Sequence, residues 1–174
     1  MRRDIAEARN LGVDGIVLGL LQQDGQVDVT GTAELVQSAR SLGVTFHRAF
    51  DLTRGSIEAL DRLIGLGIER VLTSGRAPTA LEGAPALQLL VQRADGRIAI
   101  MAGGGINQAN VSRIVTESGV REVHLSGSTS VPSPMIYRNE HIKIGKPYAP
   151  DEYLRAAPDV ERIRGVVEAV TRLR

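Results

Sequence analysis

The sequence predicts an α/β fold, specifically a (β/α)8 TIM-barrel-like arrangement of which only part is present. Three observations predict it. Short β-branched runs alternate with longer segments of helical period. Helices end in a repeated Leu-Gly or Ser-Gly junction that passes at once into Val or Ile of the next strand. Five strands can be counted where eight would close a barrel. Strands alternating with helices at this spacing form right-handed βα units, and such units build a parallel sheet.

The elements follow in order. Asn10-Leu11-Gly12-Val13-Asp14 is the first copy of the junction, so residues 1–11 read as the tail of a helix. Residues 15–20 are the first strand, 44–49 the second, 70–73 the third, 98–102 the fourth and 122–126 the fifth. Helical stretches lie at 32–42, 56–66, 84–93, 108–118 and 159–173, and Gly43, Gly67 and Gly119 are their expected left-handed caps. Residues 132–158 hold five of the seven prolines and read as a structured excursion before the last helix. A closed barrel takes roughly 250 residues, so a chain of 174 falls about three strands short. Residues 1–174 then form one domain with two open sheet edges. The first strand is expected to expose Ile16, Leu18 and Leu20 there, which would make the chain sticky and favour a homo-oligomer.

Composition narrows the function. Lys and Arg number 21 against 20 Asp and Glu, a net charge of +1, so no concentrated basic face for nucleic acid is expected. Two Phe and three Tyr are too few for a base-stacking surface. There is no Cys, hence no disulfide, thiolate metal site or thiol nucleophile. No apolar run suits a membrane span or a secretory leader, and the chain reads as cytoplasmic.

Strand alternation places Thr45 and His47, His124 and Ser126, and Ala99, Met101 and Gly103 on the barrel interior. His47 and His124 are candidates for a general base or for metal ligands, the alternative being hydrogen-bonded strand histidines. His141, in the proline-rich excursion, reads as a surface residue. Arg48 and Asp51 end the second strand as a charge clamp and acid/base pair, or as a rim salt bridge holding the loop. Ser74 and Gly75 end the third strand with a hydroxyl and a bare backbone. Gly103, Gly104 and Gly105 lead into a helix, and Ser126 and Gly127 follow the last strand. Together these are candidate anion-binding residues, because barrel phosphate sites recur at the loops after the seventh and eighth strands. Tight turns that need Gly are the competing reading. No Walker or Rossmann spacing supports a nucleotide.

The stretches Val44-Thr45-Phe46-His47-Arg48-Ala49-Phe50-Asp51, Arg70-Val71-Leu72-Thr73-Ser74-Gly75, Met101-Ala102-Gly103-Gly104-Gly105-Ile106 and Glu122-Val123-His124 resemble the CutC family, named for copper homeostasis. Ala80-Leu81-Glu82-Gly83, the 134–139 stretch and Asp151-Glu152-Tyr153 extend the resemblance along the chain. It implies a single-domain (β/α)8 barrel, the strands here matching the family's fourth to eighth, and copper as the ligand. The first three strands and any Cys-based copper ligands have no counterpart in this sequence. Soft donors are then limited to Met101, Met135 and the histidines, with His47 and His124 as metal ligands. The alternatives are an enzyme acting on a small phosphorylated or carboxylated metabolite, and an inactive truncated product. No cofactor other than copper is expected, and no nucleic-acid or membrane partner.

Overall fold

Residue parity explains the sheet. In the second strand Val44 and Phe46 are buried against helices, while Thr45 and His47 are only half-buried on the opposite, concave face. The same division holds for Val71 and Thr73 against Arg70 and Leu72, and for Ile100 and Ala102 against Ala99 and Met101. The computed structural model describes residues 1–139, 141, 142, 144 and 151–173.

The order is α1 (Arg2–Asn10), β1 (Gly15–Leu18), α2 (Val29–Ser38), β2 (Gly43–Phe46), a 3-10 turn (Arg48–Leu52), α3 (Ser56–Gly65), β3 (Arg70–Thr73) and α4 (Ala84–Ala94). It continues with β4 (Ala99–Gly103), α5 (Val111–Ser118), β5 (Glu122–His124), β6 (Ser128–Pro132), β7 (Leu154–Pro158) and α6 (Val160–Thr171). The first five strands form one parallel sheet in the order β1-β2-β3-β4-β5. This is the sequential arc of a (β/α) barrel, with β1 and β5 as its edges. The core fills the space between sheet and helices, with Phe46, Phe50, Leu60, Leu63, Leu87 and Ile114 among its largest buried side chains. No helix among the described residues is long and apolar enough to cross a membrane.

Several sequence expectations change. Gly12, Gly67 and Gly119 take the left-handed conformation of a helix cap, but Gly43 does not. Ser41 takes it instead at φ 72°, which ends α2 early and frees Gly43 to open β2. Residues 47–49 leave the sheet, because His47 caps the 3-10 turn and Arg48 begins it. The β1 edge is not lined by Ile16, Leu18 and Leu20. Leu18 is 3% exposed, Ile16 and Leu20 pack against the core, and Val17 faces out at 65%. An antiparallel pair, β6 with β7, brackets the proline-rich excursion, the two strands ending at Pro132 and Pro158. Residues 140, 143 and 145–150 of that excursion lie outside the described residues.

On the concave face Arg70 passes over the small Ala99 of β4 and grips Glu122 of β5 with two nitrogens, Nη2 lying 2.9 Å from Oε1. The pair ties β3 to β5 across the strand between them. Arg70 holds the Glu122 carboxyl below the ordinary carboxylate value, against the opposing pull of partial burial.

Candidate functional site

At the C-terminal rim of the sheet the chain gathers polar side chains around one carboxylate. Asp51 leaves the 3-10 turn after β2, and its side chain is 9% exposed. Its Oδ1 accepts from the Thr73 hydroxyl and from the Arg76 amide at 3.1 Å. The Ser74 amide lies 3.2 Å from both oxygens, and Arg48 Nε donates to Oδ2 at 2.8 Å. Burial by itself would raise the Asp51 carboxyl, but the bonds from Thr73, Arg48, Ser74 and Arg76 outweigh it and hold the group below its ordinary value. A carboxylate so fully engaged is an anchor for its neighbours and a poor proton acceptor.

Arg48 is what Asp51 anchors. Its Nη2 donates to Ser74 Oγ at 2.7 Å, and that hydroxyl in turn donates to the Ala77 carbonyl at 2.6 Å. Two of the three guanidinium nitrogens, Nε and Nη2, are thereby engaged. Its Nη1 faces Gly104, where a Cβ would stand 3.2 Å away. Gly104 has φ +115° and offers bare backbone beside this nitrogen.

His47 turns the other way. A Cβ on Gly19 would lie 2.4 Å from its ring, so the imidazole occupies the space that Gly19 leaves at the β1 side. Its Nδ1 accepts the Ala49 N–H at 3.1 Å, which assigns the proton of the neutral ring to Nε2. His124 ends β5, two strands beyond the neighbour β3, and is exposed on the concave side. The structure does not bring these two histidines together. His141 is exposed, as its sequence context suggested.

The remaining glycines have separate reasons. Gly75 at φ +71° packs on Gly83, whose backbone oxygen would be 2.5 Å from a Cβ there. A Cβ on Gly83 would lie 1.8 Å from the Ser74 oxygen. The two glycines let the loop after β3 close on the start of α4, which sets Ser74 in place. Sequence reasoning missed Gly83 as a site-shaping residue.

A sequence profile of the CutC family matches residues 1–129. The chain belongs to the CutC family. A CutC family protein of Bacteroides fragilis is 43% identical over 171 residues, covering 98% of this chain and 68% of its own length. The mouse copper homeostasis protein cutC homolog is 44% identical over 164 residues, covering 94% of this chain and 60% of its own. The crystal structure of CutC from Streptococcus agalactiae superposes with a TM-score of 0.68 at 32% identity, over 71% of this chain and 60% of that one. A KDPGal structure at 12% identity shares the fold, with a TM-score of 0.59 over 99% of this chain and 65% of its own.

This CutC chain offers a poor donor set for a resident copper centre. It has no thiol, and among the described residues no three His, Cys, Asp or Glu side chains are grouped to hold a metal. A metal on His47 Nε2 would move the ring proton to Nδ1, where it would oppose the Ala49 N–H. Four of the seven predicted anion residues fall into two groups, while Gly75 packs on Gly83, Gly103 on Leu72 and Gly105 faces Thr79. Ser74 and Gly104 join Arg48, whereas Ser126 and Gly127 line a second cleft beside Ile106 and Arg162.

Acid should weaken this CutC chain through two carboxyls. Asp51 and Glu122 titrate lower folded than unfolded, where they sit near about 4. Their contribution is complete above the unfolded value and is lost as pH falls through the folded values. Urea midpoints should therefore hold from neutrality to roughly pH 5 and decline below it, with a shallower decline in Glu122→Gln. Midpoints that rise on acidification would contradict both assignments.

Proposed function

We propose that this chain serves in copper homeostasis, the role for which its mouse relative is named, as a binder of a small oxyanion at the sheet's C-terminal rim. The ligand class is a carboxylate or phosphate of a small metabolite. One observation carries the reading: Arg48 is held at Nε by Asp51 and at Nη2 by Ser74 and presents Nη1 at the bare backbone of Gly104. A guanidinium held this way loses little freedom on binding and offers Nη1 to an oxyanion. His47, with its proton on Nε2, is a hydrogen-bond donor on the β1 side of the rim. Asp51 orients Arg48 and takes no part in proton transfer.

Direct copper ligation is the second reading. It is favoured by His124, exposed on the concave face, with Met101 on the same face of β4, two residues from Gly103, the pairing partner of His124.

Calorimetric titration of the whole chain with sulfate, then with Cu(I), separates them. Arg48→Ala should weaken sulfate binding by about tenfold or more, the worth of a charged hydrogen-bond donor. His47→Ala and His124→Ala should leave any Cu(I) uptake unchanged. Sulfate affinity untouched by Arg48→Ala, together with Cu(I) affinity lost in the histidine variants, would replace the first reading with the second.

A further inference from the structure

The rim site leaves a second depression unused. It is a cleft of about 640 Å³ between the loop leading into α5, the loop after β5 and the first turns of α6. That volume suits a small organic molecule and greatly exceeds what a bare inorganic ion fills. Ile106, Leu125 and Val166 give it apolar walls, and Gln108, Ser126 and Arg162 give it polar ones. Arg162 is the only charged side chain lining it among the described residues.

Two glycines bring α6 close enough to build this cleft. A Cβ on Gly127, which has φ +54°, would lie 2.8 Å from Ile163 Cγ1. On Gly165, within α6, a Cβ would lie 2.4 Å from Gln108 Oε1. The helix therefore rests against both loops, with Gln108 laid along it. Arg162 is oriented by its own contacts: Nη1 donates to the Ser128 carbonyl at 2.9 Å, and Nε lies 3.5 Å from Asp159 Oδ2. Asp159 is meanwhile occupied as the α6 cap, accepting the Arg162 amide at 3.1 Å. Among the described residues Arg162 Nη2 and the Gln108 amide have no protein hydrogen-bond partner.

We propose that this cleft binds a small organic oxyanion with an apolar body, Arg162 taking the charged group and Gln108 a neighbouring polar atom. The ligand lies along Ile106, Leu125 and Val166, and its oxyanion end meets Nη2. The site shares none of these residues with the Arg48 rim, so each can fail without the other.

The test is amide and guanidinium chemical-shift titration of the full chain with phenyl phosphate and with inorganic phosphate. Phenyl phosphate should give saturable shifts at Gln108, Ser126, Gly127 and the Arg162 side chain, at concentrations where inorganic phosphate gives little. Arg162→Gln should weaken that binding about tenfold, and Arg162→Lys by less, because the charge remains while the fork is lost. The wild-type Arg162 guanidinium signal gives the answer even where a variant folds poorly. Shifts confined to Arg48 and Ser74 would overturn this site while supporting the rim reading. Equal affinity for the two phosphates, or binding indifferent to Arg162→Gln, would overturn it as well.

Discussion

Replacing Asp51 with alanine should destabilise the chain by about 3 kcal/mol or more, since the Thr73 hydroxyl and the Ser74 and Arg76 amides all lose their acceptor. For a domain of this size that is a fall in melting temperature of about 6 to 12 °C. The partly exposed Arg48 contact adds little to this total, because solvent screens it. Asp51→Asn should also be destabilising. Every partner of Asp51 is a donor, so the new amide nitrogen must face one of them. Sulfate affinity should fall in both variants, because Arg48 loses the contact that aims it. A catalytic base would behave differently, with Asp51→Asn keeping wild-type stability while turnover disappeared. Thermal melts of the two variants therefore distinguish an anchor from a base.

Gly83→Ala should be at least as damaging, although Gly83 has an ordinary φ of −82°. The cause is contact alone. The added methyl would stand 1.8 Å from the Ser74 carbonyl oxygen, a backbone atom that cannot step aside as a flexible side chain would. The loop after β3 must shift, at a cost of about 3 kcal/mol or more, and Ser74 leaves Arg48 as it does. Gly65→Ala is the internal comparison. Gly65 closes α3, and a Cβ there would meet nothing within 4 Å. Alanine at that position should gain up to about 1 kcal/mol through helix propensity and reduced unfolded-state freedom. Denaturant midpoints that moved alike in the two variants would refute the packing account of Gly83.

Much of this architecture was legible in the sequence because it rests on local periodicity. The alternation in Val44-Thr45-Phe46-His47 gives the buried and concave faces correctly, and Gly12, Gly67 and Gly119 cap their helices as the junction predicts. Gly43 misled because the same Leu-Gly pair follows a helix that had already ended through Ser41. The pairing of Arg48 with Asp51 follows from a separation of three residues, and the structure adds Ser74 as their partner. What could not be read was contact between distant segments. Gly83 looks like an ordinary helix approach until the loop after β3 is laid against it, and the place of the exposed Arg162 beside a cleft appears only when α6 settles on Gly127. The β6–β7 pair was hidden because its strands are separated by 21 residues, far beyond the spacing of a two-residue hairpin loop.

The most direct test of the rim account is the Arg48 guanidinium itself, followed by nitrogen chemical shift while the whole chain is titrated with sulfate. The Arg48 signal should move and saturate, the Ser74 and Gly104 amides should follow the same curve, and Gly83→Ala should abolish all three responses. An Arg48 signal that stays fixed at millimolar sulfate while the protein remains folded would contradict the account.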